Sequence, residues 1–394
     1  MNKFSLNLPS SIDFGWGSTN NMPSHIKKFG KNALFFTGEK SLDESGIAAN
    51  ITDFLKEEGI SFDAVQTEGE PSVAGIDSLV ARLRNEFDLT KYDVIAAIGG
   101  GSVIDTAKAV SAMIYESGSI EDYANGTKSL SGKSMPLMAI PSTAGTGSEA
   151  TYSAIIINRS DGMARKHALK HTCLMPKIAI VDPSLLITLP VEKMISCSLE
   201  CMWQILEAYT SKEANIFTDS VLIEALGVLV NNIGDAYAQA VPSDVLESLS
   251  YAALLSGIGA ANSSVEVTDS IAHAIGAQYG IAHSAICSSL LYAHTLINMR
   301  KAQMLEPNST KTAKYAMAGA VFSNMEYDQS KHDVLLRAVS QQLLNIRESF
   351  MIPTLSDLGI GKDDFYKIAT LTGNAVGSAY LAETDILEIL ELSY

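Results

Sequence analysis

Two segments of this 394-residue chain carry residues whose types and spacing suit a phosphate-bearing ligand. The first is Gly99-Gly100-Gly101-Ser102, set between an apolar run, Val94-Ile95-Ala96-Ala97-Ile98, and a helical pattern from Val103 to Ile114. A strand, a glycine turn and a helix start present backbone N–H groups with no Cβ to hold a phosphate away. The helix dipole adds about half a positive charge at that end. Taken alone, the motif suits a tight strand-to-helix turn equally well. The second segment is Pro141-Ser142-Thr143-Ala144-Gly145-Thr146-Gly147-Ser148-Glu149, which follows the strand pattern Leu137-Met138-Ala139-Ile140. Sheets of α/β proteins bind ligands at the carboxyl ends of their strands. Two small-residue polar loops in that position favour a ligand site over two plain turns.

Two other clusters have chemical potential. Cys197 and Cys201 stand four apart in a helical pattern, the spacing of a metal pair. No second Cys or His pair accompanies them at zinc spacing, so the four cysteines, with Cys173 and Cys287, read as buried thiols of a reducing cytosol. Arg165-Lys166-His167-Ala168-Leu169-Lys170-His171 packs five basic residues into seven. It reads as a solvated loop, with a patch for an anionic substrate or the cofactor phosphates as the sharper alternative.

The elements that must position these groups follow from periodicity. Strand candidates are 33–37, 62–65, 94–98, 137–140, 154–157 and 178–181, with helical patterns between several of them, such as 46–58 and 75–86. Strands alternating with helices predict a mostly parallel sheet covered on both faces. Beyond Asp182-Pro183 and Thr188-Leu189-Pro190 no strand is convincing. The patterns become 3.6-periodic over about 191–213, 216–238, 244–262, 266–278, 284–300, 310–325 and 330–349. Fold class is therefore α/β followed by all-α. Residues 1–190 form an α/β domain and 191–394 a helical domain, and a cleft between them is the default ligand site.

Composition narrows the partners. A net charge of −16 argues against nucleic acid and anionic membrane surfaces. The first residues show no apolar leader and no stretch reaches 18 uncharged apolar residues, so a cytosolic protein acting on a small molecule is expected.

Together these segments resemble the iron-dependent (group III) alcohol dehydrogenase family. The matching pieces are Gly99-Gly100-Gly101-Ser102 with Asp105, Ala107 and Lys108; Pro141 to Glu149; Asp182-Pro183 with Thr188-Leu189-Pro190; Glu207-Ala208-Tyr209; Ala272-His273-Ala274-Ile275-Gly276 with His283; and Thr384 to Leu390. The resemblance implies a Rossmann-like domain joined to a helical domain with a catalytic divalent metal, a homodimer, and hydride exchange between NAD(P) and an alcohol or aldehyde. It assigns the pyrophosphate to Gly99, Gly100, Gly101 and Ser102, places Asp105 near the nicotinamide and Lys108 in the cofactor site, and sets Thr143, Thr146 and Ser148 around the cofactor. NAD-preferring relatives carry an Asp after the first strand's Thr. Here that position is Gly38, which removes a repulsion against a 2′-phosphate, and Lys40 or Ser41 is placed to bind one. The reading leans to NADP(H), while Glu39 keeps NAD(H) open.

The chain departs from the family at the metal. The family's ligands are an Asp and a His four apart on one helix, then two further His. Aligned on Glu207-Ala208-Tyr209, the first two positions hold Glu200 and Gln204; the third holds Asp269, and only His283 matches. One reading is loss of the metal, since a neutral Gln is a weak ligand for iron or zinc. The other is a rebuilt site in which two carboxylates, an amide oxygen and an imidazole hold a harder ion such as Mn²⁺ or Mg²⁺. Hydride transfer still needs carbonyl polarisation and a proton donor. His273 or His283 supplies both, oriented by Asp269 or Glu200. A dehydroquinate synthase-like lyase using NAD transiently and a catalytically silent NAD(P)-binding homologue are the rival functions.

Overall fold

A computed structural model describes residues 3–38, 47–159, 164–238, 241–263, 268–375 and 381–394, with the backbone alone for 47–50, 52, 268, 269 and 373–375. Contacts divide the chain into two units. One comprises Ser5–Pro190 with Val241–Ser250; the other comprises Met1–Phe4, Val191–Ala240 and Tyr251–Tyr394.

The first unit is built on strands β1 (Ser11–Phe14), β2 (Asn32–Gly38), β3 (Ser61–Thr67), β4 (Val94–Gly99), β5 (Leu137–Pro141) and β8 (Ile178–Val181), in the order β1-β8-β5-β4-β2-β3 and parallel throughout. Every residue of β4 and β5 is buried. Alternate positions feed the two faces, as a pleated strand requires. Val94, Ala96 and Ile98 join Met138, Ile140 and Ile180 in one core. Ile95 and Ala97 join Leu137, Ala139 and Ile104 in the other. Helices α1 (Met22–Ile26), α2 (Ile47–Glu57), α3 (Val73–Glu86), α4 (Gly101–Met113) and α5 (Ile120–Ala124) connect the strands.

Connections leave β2 and β4 in opposite directions across the sheet. Their carboxyl ends are thus a switch point, where α/β sheets form ligand crevices. Thr37 pairs with Ile98, and Gly99 with Pro141, so β2, β4 and β5 end at one level.

Three expectations are corrected here. Ser11–Phe14 is a strand that its four-residue pattern did not reveal. Strand β6 (Ser153–Asn158) does not enter the main sheet but pairs antiparallel with β7 (Arg165–Lys170). The basic stretch is therefore a strand and not a solvated loop: its edges are charged, but Leu169 is buried and anchors it.

The second unit contains α6 (Val191–Tyr209), α7 (Ile216–Asn232), most of α8 (Ser243–Ala261), α9 (Thr268–Tyr279), α10 (His283–Leu305), α11 (Thr310–Phe322) and α12 (His332–Ser349). The helices α13 (Phe365–Ala375) and α14 (Glu383–Leu392) follow. Helix α6 packs against α7 and α10, and this brings its buried face, including Glu200, toward the start of α10.

Candidate active site

The glycine turn closes β4 onto α4. Gly100 caps α4 without a side-chain bond, so the helix's first N–H groups have no intrahelical acceptor. The glycines are required by neighbours within the protein. A Cβ on Gly99 would stand 2.6 Å from Val103 Cγ2. One on Gly101 would stand 2.9 Å from both Cγ2 and Oγ1 of Thr146. Ser142 N–H donates to the Gly99 carbonyl at 3.0 Å. The turn at 99–102 and the segment at 141–149 therefore interlock, with Thr143 against Gly100 and Thr146 against Gly101. Gly147, at φ 62°, reverses the chain so that Ser148 N–H reaches Thr146 Oγ1 at 3.2 Å.

Below this surface lies a buried ionic network. The Lys108 ammonium donates to Ser148 Oγ at 2.8 Å, Thr151 Oγ1 at 2.7 Å and the Ser153 carbonyl at 2.9 Å, and stands 3.4 Å from Asp105 Oδ1. Asp105 accepts from Ser148 Oγ at 2.5 Å and from Ile155 N–H at 2.9 Å. Lys108 has no solvent exposure. Burial pushes its ammonium pKa down, against the pull of Asp105 and Glu149. Burial also pushes the Glu149 carboxyl up to about 7, partly offset by its own backbone N–H and by Lys108. Asp105, Lys108 and Ser148, expected around the cofactor, are thus bonded to one another beneath the two loops. Gly38 ends β2 beside Thr67, whereas Glu39, Lys40 and Ser41 lie outside the described residues.

Lys166 does not offer a free charge to an anion: it pairs with Glu70 at 2.7 Å and its side chain is 3% exposed. Asp182, of the Asp-Pro motif, is also structural. It accepts from the backbone N–H of Gly17, Thr19 and Ser184 and from the hydroxyls of Thr19 and Ser184. Against the opposing effect of burial, these bonds hold its carboxyl below the usual range.

In the helical unit the imidazoles of His273 and His283 face each other with centroids 5.1 Å apart and planes at 38°. His283 Nε2 stands 3.8 Å from Glu200 Oε1 and 3.3 Å from Cys287 Sγ. Trp203 flanks the same ring at 5.9 Å. Gln204 Nε2 donates to Ser256 Oγ at 2.8 Å. The structure thus brings His273, His283 and Glu200 together. The side chain of Asp269 lies outside the described residues. Cys287, Trp203 and Ser256 were not anticipated here. The one available signal was Cys287 standing one helical turn after His283. His294, by contrast, is interior: burial drives its pKa down to about 3, so it stays neutral.

Among the described residues no group of three imidazole, thiol or carboxylate side chains converges on a point that could hold an ion. The imidazole that iron or zinc sites favour is replaced at Gln204 by a neutral amide committed to Ser256.

A switch-point glycine turn on a parallel sheet, in one chain with a helical unit bearing paired imidazoles, suits a dinucleotide-dependent enzyme. Residues 9–183 match the family model for iron-containing alcohol dehydrogenase, and 194–394 match the C-terminal model of the Fe-containing alcohol dehydrogenase family. The chain belongs to the iron-containing alcohol dehydrogenase family, whose members are NAD(P)-dependent enzymes of alcohol and aldehyde interconversion. It is 28% identical over 287 residues to the NAD-dependent methanol dehydrogenase of Bacillus methanolicus, covering 73% of this chain and 74% of that protein. It is 27% identical over 379 residues to the NADPH-dependent butanol dehydrogenase of Clostridium saccharobutylicum, covering 94% and 91%. Its fold matches a solved 1,3-propanediol oxidoreductase with a TM-score of 0.87 at 23% identity, over the whole of both chains. No helix among the described residues is long and apolar enough to cross a membrane.

Proposed function

We propose that the chain is an NAD(P)H-dependent reductase of a small aldehyde or ketone, reversible toward the alcohol, that works without the family's iron. The observation that carries this reading is the group of His283, His273 and Glu200, beside a Gln204 tied to Ser256. Hydride passes from the nicotinamide to the carbonyl carbon, and the oxygen takes a proton, giving the alcohol and NAD(P)⁺. His283 or His273 hydrogen-bonds the carbonyl oxygen and delivers that proton. Glu200 Oε1, 3.8 Å from His283 Nε2, orients that imidazole. Residues 1–190 bind the cofactor through the turn at Gly99–Ser102 and the loop at Thr143–Ser148, and 191–394 handle the proton.

Gly38 supports NADP(H) over NAD(H), because the residue that ends β2 has no carboxylate of its own to repel a 2′-phosphate, while Glu39, the next residue, keeps NAD(H) open. The working assembly is proposed to be a homodimer, by resemblance to the family. Any anionic group on the substrate would have to be read by cations other than Lys166, which Glu70 already neutralises. The test is NADPH oxidation over a panel of small aldehydes and ketones, with total metal measured on the same sample. Net oxidation by metal-poor protein supports the reading. Binding of NADPH with no net oxidation on any substrate would favour the lyase or silent-homologue alternatives.

A further inference from the structure

We propose that Lys108 is a positioning residue: through Ser148 it selects the one conformation of segment 146–151 that complements the glycine turn, and it does not touch the cofactor. The inference rests on the reading that a dinucleotide occupies this turn.

An ammonium has three protons, and Lys108 directs them to Ser148 Oγ, Thr151 Oγ1 and the Ser153 carbonyl. These acceptors all lie on a single stretch of chain. Its counter-ion, Asp105, is one helical turn away on α4 and fixes the same stretch from the other side, through the Ser148 hydroxyl and the Ile155 N–H. Ser148 is the shared member, accepting from Lys108 and donating to Asp105. Its own N–H holds Thr146 Oγ1, and Thr146 is the side chain that fills the space beside Gly101. A continuous path therefore runs from Lys108 through Ser148 and Thr146 to the turn.

Energetics favour the same view. A desolvated ion pair is often no more stable than well-packed apolar side chains of equal volume, so its retention is better explained by the single arrangement it specifies. A hydrophobic residue at 108 would fill the space but leave segment 146–151 free to choose among loop conformations. With no exposed surface, Lys108 also has no line of approach to a phosphate.

The test uses Ser148→Ala, the charge-neutral pair Asp105→Asn with Lys108→Met, and the triple variant. The pair keeps an uncompensated charge from unfolding the protein. Readouts are NADPH affinity by fluorescence titration, kcat at saturating cofactor, and amide hydrogen exchange over 142–151 and 99–103 without cofactor. A positioning role predicts that Ser148→Ala and the pair each weaken NADPH about tenfold. The triple should be no worse than either, since coupled residues are non-additive. Exchange over 142–151 should rise in each variant, and the loss should fall more heavily on NADPH affinity than on kcat. Lys108→Arg should fail to rescue, because a planar fork cannot meet the three acceptors. Additive losses, rescue by Arg, or unchanged exchange would overturn the proposal by making Lys108 a source of charge alone. A wild-type protein that binds neither NADPH nor NADH would instead refute the dinucleotide reading, and the inference with it. That failure is recognisable because it appears without any substitution.

Discussion

Glu200 Oε1 stands 3.8 Å from His283 Nε2, and both side chains are mostly buried in the helical unit. A carboxylate facing an imidazole stabilises the ring when it carries a proton and restrains its orientation. General acid catalysis of this kind is worth about 10²–10⁴ in rate. Replacing His283 by Ala should therefore lower kcat for carbonyl reduction by about a hundredfold or more. Glu200→Gln should cost about tenfold, through orientation alone. The loss should fall on kcat more than on NADPH affinity, since both changes act on the proton-transfer step. Steady-state kinetics with separate cofactor titrations check this. An unchanged kcat in the His283 variant would remove it from proton handling.

The space beside Gly101 is filled by Thr146. Gly101→Ala should cost about 1–3 kcal/mol of stability through overpacking and weaken the cofactor more than tenfold. Thr146→Ala removes the two nearest atoms that an added Cβ would meet. The double variant should regain most of the lost stability, so the two changes couple. Thermal denaturation of the four proteins measures the coupling. Strict additivity would show that the turn and the 141–149 loop do not interlock.

Glu149 should make stability fall as pH rises. Its carboxyl is raised by burial from 4.5 to about 7, so between those values the folded state holds a proton that the unfolded chain has lost. The group contributes its full stability below 4.5, loses it progressively, and contributes none above about 7. Glu149→Gln, neutral at every pH, should flatten this dependence by up to about 3 kcal/mol. Denaturant unfolding at pH 5 and pH 8 tests it. Equal slopes in the two proteins would mean that Glu149 is ionised throughout.

Gly38 closes β2, at the position proposed to read the cofactor's ribose. Gly38→Asp should lower kcat/KM for NADPH by about tenfold or more, by like-charge repulsion, and spare or improve NADH. The ratio of the two kcat/KM values is the measurement. No change in that ratio would place the 2′-phosphate elsewhere.

The parts of the fold legible in the sequence were those with strong local signals. The run from Val94 to Ile98, cut by three glycines, marked β4 and α4, because both sheet faces are buried and the run is continuously apolar. The four residues of β1 are too few and too little buried to show alternation. Strand β7 was masked by its charges: four of its six residues are basic, and Leu169 alone is buried. Within the site, His283 and Glu200 were visible through family register, whereas the placement of Lys108 was not. A lysine in the first turns of a helix normally reaches solvent, and only the return of residues 148–153 over α4 encloses it. Ser256 entered the picture through packing between helices distant in sequence, whereas Cys287 follows His283 by one turn of the same helix.

Proton transfer in this enzyme is proposed to need no ferrous or zinc ion. The most direct measurement is metal analysis of the purified protein, coupled to NADPH oxidation on an active aldehyde before and after chelator treatment. The account predicts metal well below one ion per chain and a rate that chelation leaves within about twofold. A stoichiometric Fe²⁺ or Zn²⁺, removed by chelator together with activity and restored by adding the ion back, would contradict it.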